Sequence, residues 1–364
     1  MIRILLVDDS PLMRRLLSEI FGAAGDFEIA QARNGLEALE LLHSFKPDVI
    51  TLDIQMPEMD GLACLDRIML ERPCPVIMVS SLTDAGAAET LEAMALGAVD
   101  FIAKPSRAIS LEIDTLAPVL LAKARAASTA RLRRSHRLTE RVRARIGAHL
   151  ARSPKPAGRS VPAERPIAAA GEPQGCVLVG TSTGGPPALD ALLSALPADF
   201  PWPVVIVQHM PASFTGPLAR RLDGLCALDV IEVTRPILLG SGRVYIAKGD
   251  ADLIVSRRPT GPIVQSVPSS AELHWHPSVD RLVESAIDHI GAARLIGVLM
   301  TGMGDDGAAS MSRLKAEGGR TIAEAEATAV IWGMPGALVK AGGATFVEPI
   351  DAIAGRLIDM VGRG

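Results

Sequence analysis

Across the first 123 residues, short apolar runs alternate with helix-forming segments five times, and this rhythm constrains the chain more than any other feature. The runs are Ile4 to Val7, Phe27 to Ala32, Val49 to Leu52, Val76 to Val79 and Ala98 to Ile102. Regular alternation of this kind implies a parallel sheet covered by helices. The runs carry almost no polar interruption, which suits strands buried on both faces. In such a sheet, chemistry collects at the carboxyl ends of the strands.

At 364 residues the chain is too long for one ordinary core, and about two domains are expected. From Gln174 onward strand-like runs resume at Val177 to Val179, Val204 to Val207, Leu295 to Met300 and Thr321 to Ala325, with a less regular insertion from about Leu228 to Ser269. The second half is therefore also read as an α/β sheet. Between the halves, an Arg/Ala-rich stretch from Arg131 to Arg152 has helix-forming composition, and the Pro-rich stretch after Ser153 cannot bury a core. A basic helical extension and flexible linker, residues 124–173, is expected, touching nucleic acid or an acidic surface or, more simply, solvated.

The hydrophobic share is 48%, yet no apolar run reaches the roughly 18 residues a membrane span requires. Ile4 to Val7 is too short for a signal-peptide core, so a cytoplasmic protein is expected. A net charge of -4 argues against broad nucleic-acid binding. Cys64, Cys74, Cys176 and Cys226 lack metal spacing and read as reduced structural residues.

Asp8 and Asp9 follow the first run and Asp53 closes the third, so three carboxylates converge on one sheet edge. Such crowding is costly without a cation, and hard oxygen ligands suit Mg²⁺. Lys104, before Pro105, brings a positive charge to the same edge. A carboxylate so placed is a plausible nucleophile toward phosphorus. Asp8-Asp9-Ser10-Pro11 also reads as a helix start, which explains neither Asp53 nor Lys104. The segments Val-Asp-Asp-Ser, Thr-Leu-Asp-Ile-Gln-Met-Pro-Glu-Met-Asp-Gly, Val-Ser-Ser and Phe-Ile-Ala-Lys-Pro resemble a response-regulator receiver domain over residues 1–123. The resemblance implies a flavodoxin-like fold with a five-stranded parallel sheet, phosphorylation of Asp53, Mg²⁺ held by Asp8, Asp9 and Asp53, and Lys104 on the acyl phosphate. Ser80 and Phe101 fall at the family's switch positions; locally they read equally as a strand-end hydroxyl and a core aromatic. Gln55 stands where the motif often has glutamate, a change tolerated if its backbone carbonyl is the ligand.

In the second half, Val177-Leu-Val-Gly-Thr-Ser-Thr-Gly-Gly runs from strand into a glycine-rich turn that presents Ser182. Alone, the turn reads as a catalytic serine, a phosphate cradle or a helix cap. His209 ends Pro-Val-Val-Ile-Val-Gln-His-Met-Pro, and Val298-Leu-Met-Thr-Gly-Met-Gly-Asp-Asp-Gly brings aspartates to a third strand end. Serine, histidine and aspartate supply nucleophile, base and orienting carboxylate. Their order, Ser, His, Asp, differs from that of α/β-hydrolases.

Together, Gly-Thr-Ser-Thr-Gly-Gly, Gln-His-Met-Pro and Thr-Gly-Met-Gly-Asp-Asp-Gly resemble the chemotaxis protein-glutamate methylesterases, the CheB family, across essentially the whole chain. The resemblance implies a doubly wound, mostly parallel α/β esterase domain over residues 174–364. Within it Ser182 is the nucleophile, His209 the base, Asp306 the orienting acid and the Met303 amide an oxyanion donor. It further implies demethylation of γ-glutamyl methyl esters on methylated chemoreceptors, glutamine deamidation, a chemotaxis histidine kinase as phosphodonor, and no cofactor for ester hydrolysis. Thr181 and Thr183 are expected to hydrogen-bond within the turn, Asp305 to start a helix and Trp332 to pack. Lys248 and Asp252 replace a usual proline and histidine. His274 and His276 alternate as two metal ligands on a strand do, without a third. Two rival readings are a DNA-binding regulator and a noncatalytic scaffold; no helix-turn-helix ending supports the first.

Overall fold

The computed structural model describes residues 1–104, 109–132 and 173–362. The basic extension and linker lie largely outside these residues. In the first domain, strands β1 (Ile2–Val7), β2 (Phe27–Ala32), β3 (Val49–Asp53), β4 (Val76–Ser80) and β5 (Asp100–Ala103) alternate with helices α1 (Pro11–Ala24), α2 (Gly35–Ser44), α3 (Gly61–Glu71), α4 (Asp84–Ala95) and α5 (Ile109–Ser128). The sheet is parallel in the order β2-β1-β3-β4-β5. Strands β3 and β4 are buried at every position, whereas β2 is half-exposed because it forms the sheet edge. Polar side chains end the loops and begin the helices: Ser10, Asn34, Asp60 and Thr83 each accept an amide at a helix start. Helix α5 continues past Lys123 to Ser128, burying Ala124 and Ala127 against the receiver core.

The second domain is a seven-stranded sheet, β15-β14-β13-β6-β7-β10-β8, in which every pairing is parallel. Its strands are β6 (Cys176–Thr181), β7 (Val204–Gln208), β8 (Asp229–Val233), β10 (Arg243–Ala247), β13 (Leu295–Leu299), β14 (Arg320–Glu324) and β15 (Phe346–Glu348). The expected insertion is thus only partly irregular. Strands β8 and β10 extend the main sheet, and only β9 (Ile237–Leu238), β11 (Asp252–Arg258) and β12 (Gly261–Val267) form a separate antiparallel sheet. Helices α6 (Gly185–Ser194), α7 (Ala212–Asp223), α8 (Val279–Ile290), α9 (Ala308–Ala316), α10 (Met334–Lys340) and α11 (Ile350–Val361) cover it.

From β6 the chain winds outward through β7 and later returns to β6's other side with β13. That reversal opens a crevice at the carboxyl ends of β6 and β13, where an open α/β sheet binds its ligands. The two domains share one apolar core: Ala87, Leu91, Met94 and Phe101 of the first belong to the same buried cluster as Phe214 and Leu218 of the second. No helix among the described residues is long and apolar enough to cross a membrane.

Candidate active site in an interdomain cleft

The sheet edge of the first domain gathers the predicted acidic set. One ligand oxygen each from Asp8, Asp9 and Asp53 lies within 4.8 Å of the others. Lys104 Nζ donates to Asp53 Oδ2 at 2.7 Å and stands 3.2 Å from Asp8 Oδ2. Asp8 and Asp53 are almost wholly buried, and Asp8 Oδ2 has no hydrogen bond among the described residues. Burial, opposed by Lys104 and reinforced by the Asp8 charge, pushes Asp53 up from 3.8 to about 6. For Lys104, burial pulls downward, but the hydrogen bond and charges of Asp53 and Asp8 outweigh it and hold the ammonium above its ordinary range.

A carboxyl raised in the fold favours the folded state fully only below its unfolded value of 3.8, and that contribution is lost as pH rises toward about 6. Neutral Asn mimics the protonated form. In metal-free neutral buffer, Asp53→Asn is therefore expected to melt roughly 3 °C above the unaltered protein. Added Mg²⁺ should narrow the gap, as should acidification below 3.8. Differential scanning calorimetry reads both, and an Asp53→Asn variant that melts lower at neutral pH would contradict the electrostatics.

Ser80 Oγ, at the end of β4, donates to Gly86 O at 3.1 Å. Phe101 packs on Phe214 of α7 with ring centroids 4.3 Å apart. Both switch-position residues are thus buried, one beneath α4 and one in the domain interface.

The second domain places Ser182, His209 and Asp306 after β6, β7 and β13. Gly184, at φ 77°, turns the chain from Ser182 into α6, a conformation side chains rarely adopt. Gly302 lets the loop after β13 approach, since a Cβ there would lie 2.9 Å from Ser182 Cβ and 2.2 Å from Met334 Sδ. Ser182 N donates to Thr301 O at 3.0 Å and His209 N to Thr181 O at 3.1 Å. The buried Gln208 amide ties both turns, donating to Ser182 O at 3.0 Å and His209 O at 3.1 Å. These bonds are tertiary, which is why the Gln208 role was not visible in the sequence.

His209 Nε2 meets Asp306 Oδ2 at 2.8 Å, both side chains 6% exposed. The carboxylate also accepts Ser278 Oγ, Val279 N and Asp280 N at 3.1, 2.8 and 3.0 Å. Burial pushes Asp306 up, but His209 and these amides at the start of α8 outweigh it and hold it below the ordinary carboxylate range. With Nε2 committed to Asp306, Nδ1 is the nitrogen left to accept a proton, and it has no hydrogen bond among the described residues. Ser182 Oγ does not yet bond to it, although both residues line one cleft of about 690 Å³. Unliganded sites commonly show such loose nucleophile–base geometry. Thr183 follows Ser182 and Met303 lines the same cleft, and neither backbone N–H makes a hydrogen bond among the described residues.

The far wall of this cleft belongs to the first domain, including Phe101, Lys104 and Lys123. Thr183 does not bond within its own turn as expected. Its Oγ1 donates to Asp100 Oδ2 at 2.5 Å, while Gly184 N donates to Val99 O at 3.0 Å. Asp100 is held in turn by Lys123 at 2.7 Å. Thr181 also bonds outside the turn, its Oγ1 donating to Thr301 O in the loop after β13; Asp305 accepts the amide of Ala308 through its backbone carbonyl at the start of α9, and Trp332 packs on Gly336 and donates to Glu324 O. His276 is engaged by Asp252 at 3.0 Å, His274 meets Trp275 edge-on, and Lys248 is exposed. Trp275, stacked on His209, carries no distinguishing pattern in the sequence, where it stands as an isolated aromatic between His274 and His276.

A buried His–Asp pair beside a strand-end serine defines a hydrolase-type site, here facing a receiver-type sheet. Comparison with known proteins agrees. The family model described as CheB methylesterase matches residues 177–357, and that of the response regulator receiver domain matches residues 4–113. Protein-glutamate methylesterase/protein-glutamine glutaminase 2 of Rhodopseudomonas palustris (strain BisB18) is 58% identical over 359 residues, covering 99% of this chain and 98% of that protein. Protein-glutamate methylesterase/protein-glutamine glutaminase 3 of Rhodospirillum rubrum is 54% identical, covering 98% of this chain and 95% of its own. The crystal structure of the Thermotoga maritima CheB methylesterase catalytic domain superposes with a TM-score of 0.50 at 38% identity, over 51% of this chain and 98% of that one. The chain belongs to the CheB methylesterase family, with a response-regulator receiver domain preceding the esterase domain.

Proposed function

We propose that this protein is a phosphorylation-activated hydrolase that demethylates γ-glutamyl methyl esters on chemoreceptors and deamidates receptor glutamines. The observation that carries this reading is the His209–Asp306 pair beside Ser182, at three strand ends of one sheet, inside a cleft walled by the receiver. Ser182 Oγ attacks the ester carbonyl while His209 Nδ1 takes its proton. Asp306 holds Nε2 and stabilises the imidazolium. The Met303 and Thr183 amides receive the oxyanion, methanol departs with the proton from His209, and water releases the glutamate. For glutamine, ammonia leaves instead. The substrate is a side chain on a receptor helix, which suits an open groove.

Asp53 is the phosphoacceptor in this reading, supported by Lys104, Ser80 and Phe101. The crowded oxygens of Asp8, Asp9 and Asp53, with Asp8 Oδ2 lacking a hydrogen bond, fit a hard cation, so these residues would hold the Mg²⁺ that neutralises charge during phosphoryl transfer. A chemotaxis histidine kinase supplies the phosphoryl group. The protein works in the cytoplasm, where its nucleotide-fuelled phosphodonor resides, and no specific nucleic acid is required. We assign residues 1–123 to the receiver, 124–173 to a basic extension and linker, and 174–364 to the esterase; α5 carries the receiver's last helix to Ser128.

Control follows from β5. Asp100, at its start, grips the turn beside Ser182, while Lys104, just past its end, grips Asp53. A phosphate on Asp53 adds negative charge that draws Lys104 and the Ser80 hydroxyl, shifting β5 and loosening the grip. Asp100→Ala is accordingly expected to raise methanol release without phosphodonor about tenfold, through loss of a charge-assisted hydrogen bond. Unchanged basal release would remove Asp100 from the control. The reading as a whole is tested by methanol release from methylated receptor membranes with and without a small-molecule phosphodonor. Release that rises on phosphorylation is expected; no release under either condition sinks it.

A further inference from the structure

The family motifs leave unexplained why the segment before α8 is clamped from both sides. Asp252, whose side chain is fully buried, receives His276 Nδ1 and Ser278 N at 3.0 Å each and Arg281 at 2.6 Å. Ser278 Oγ reaches across to Asp306 Oδ1 at 3.1 Å. Trp275, the neighbour of His276, is thereby laid flat over His209, with ring centroids 5.1 Å apart and planes 8° from parallel. His274 braces the indole edge-on at 4.8 Å.

We propose that Trp275 is a positioning residue for His209, roofing the imidazole so that Nδ1 faces Ser182 and stabilising the imidazolium formed as Ser182 attacks. The inference rests on the reading of Ser182 and His209 as nucleophile and base. An imidazole anchored only through Nε2 can still pivot about its side-chain bonds, and a face-to-face neighbour removes that freedom. The indole face also attracts a cation more than a neutral ring, so its contribution grows as the proton arrives. An interaction stronger in the transition state than in the ground state raises kcat and leaves KM alone. Asp252, one of the departures from the family pattern, then anchors the backbone that carries the roof.

The test uses the full chain, saturated with phosphodonor, acting on methylated receptor. Trp275→Leu is expected to lower kcat about tenfold with KM changed less than about twofold, and Trp275→Phe to recover most of the loss. Labelling of Ser182 by a fluorophosphonate probe should slow in parallel, because it needs the same base. A Trp275→Leu variant that keeps kcat, one that raises only KM, or a Phe variant as slow as Leu would each overturn the proposal. Should the Leu variant fold poorly, site-specific incorporation of a fluorinated tryptophan analogue at position 275 alone keeps the shape and weakens the π face. A lowered kcat then supports the role and an unchanged one overturns it. Failure of the parent reading looks different: the unaltered protein itself would not be labelled at Ser182.

Discussion

Ser182→Ala is expected to lower phosphodonor-activated methanol release by about 10⁴-fold or more while leaving the melting temperature unchanged. The chemical loss is large because no other group can form the acyl intermediate at that point. Thr181 Oγ1 is turned to Thr301 O and Thr183 Oγ1 to Asp100, so neither neighbouring hydroxyl faces the site as a substitute. The structural loss is small because Ser182 contributes to the fold through its backbone, bonded to Thr301 and Gln208, and Ala preserves both bonds. Substrate binding should survive as well. An alanine variant retaining normal turnover would remove Ser182 from the mechanism and leave the glycine-rich turn as a cap.

Asp306→Asn is expected to reduce kcat by about 10³- to 10⁴-fold and, unlike the serine variant, to destabilise the protein. Oδ2 accepts both His209 Nε2 and Val279 N, and Oδ1 accepts Ser278 Oγ and Asp280 N. An amide has one oxygen, so whichever way it turns, its NH₂ confronts a backbone N–H. If the NH₂ faces His209, Nε2 must become the acceptor, the ring proton moves to Nδ1, and the base is lost. A buried donor left unpaired costs about 1–3 kcal/mol. The pH dependence separates this from a general packing defect. Because the Asp306 carboxyl is held below its unfolded value of 3.8, its stabilisation is fully present above 3.8 and disappears as pH falls through the folded value. The melting gap between Asp306→Asn and the unaltered protein should therefore close on acidification, and a gap independent of pH would count against the assignment.

Much of this architecture is legible in the chain. The five apolar runs of the receiver appear as five parallel strands within a residue or two, because strands buried on both faces admit few polar residues, and these chiefly at their carboxyl ends. The edge strand β2 departs from that pattern for the same reason in reverse: at the sheet edge both of its faces are partly open to solvent and admit Glu28 and Gln31. Strands β8 and β10, which pair with each other, are hidden within the apparent insertion because β9 lies between them and joins a different sheet. In the catalytic half, Ser182, His209 and Asp306 could be picked out because each follows an apolar run with an abrupt glycine or proline turn. Gln208, Ser278 and Trp275 carry no such mark.

What the sequence determined by itself was the set of groups and the elements that bear them: a carboxylate pocket with a lysine at one sheet edge, and a serine, a histidine and an aspartate at another. Periodicity and turn chemistry are local properties, so they can be read along the chain. The tertiary structure decided which nitrogen of His209 meets Asp306, that Trp275 lies over the ring, and that Thr183 commits its hydroxyl to Asp100 rather than to its own turn. Each of these depends on side chains brought together from segments tens of residues or more apart, the first two within the esterase domain and the third across the domain interface, and no local pattern encodes that meeting.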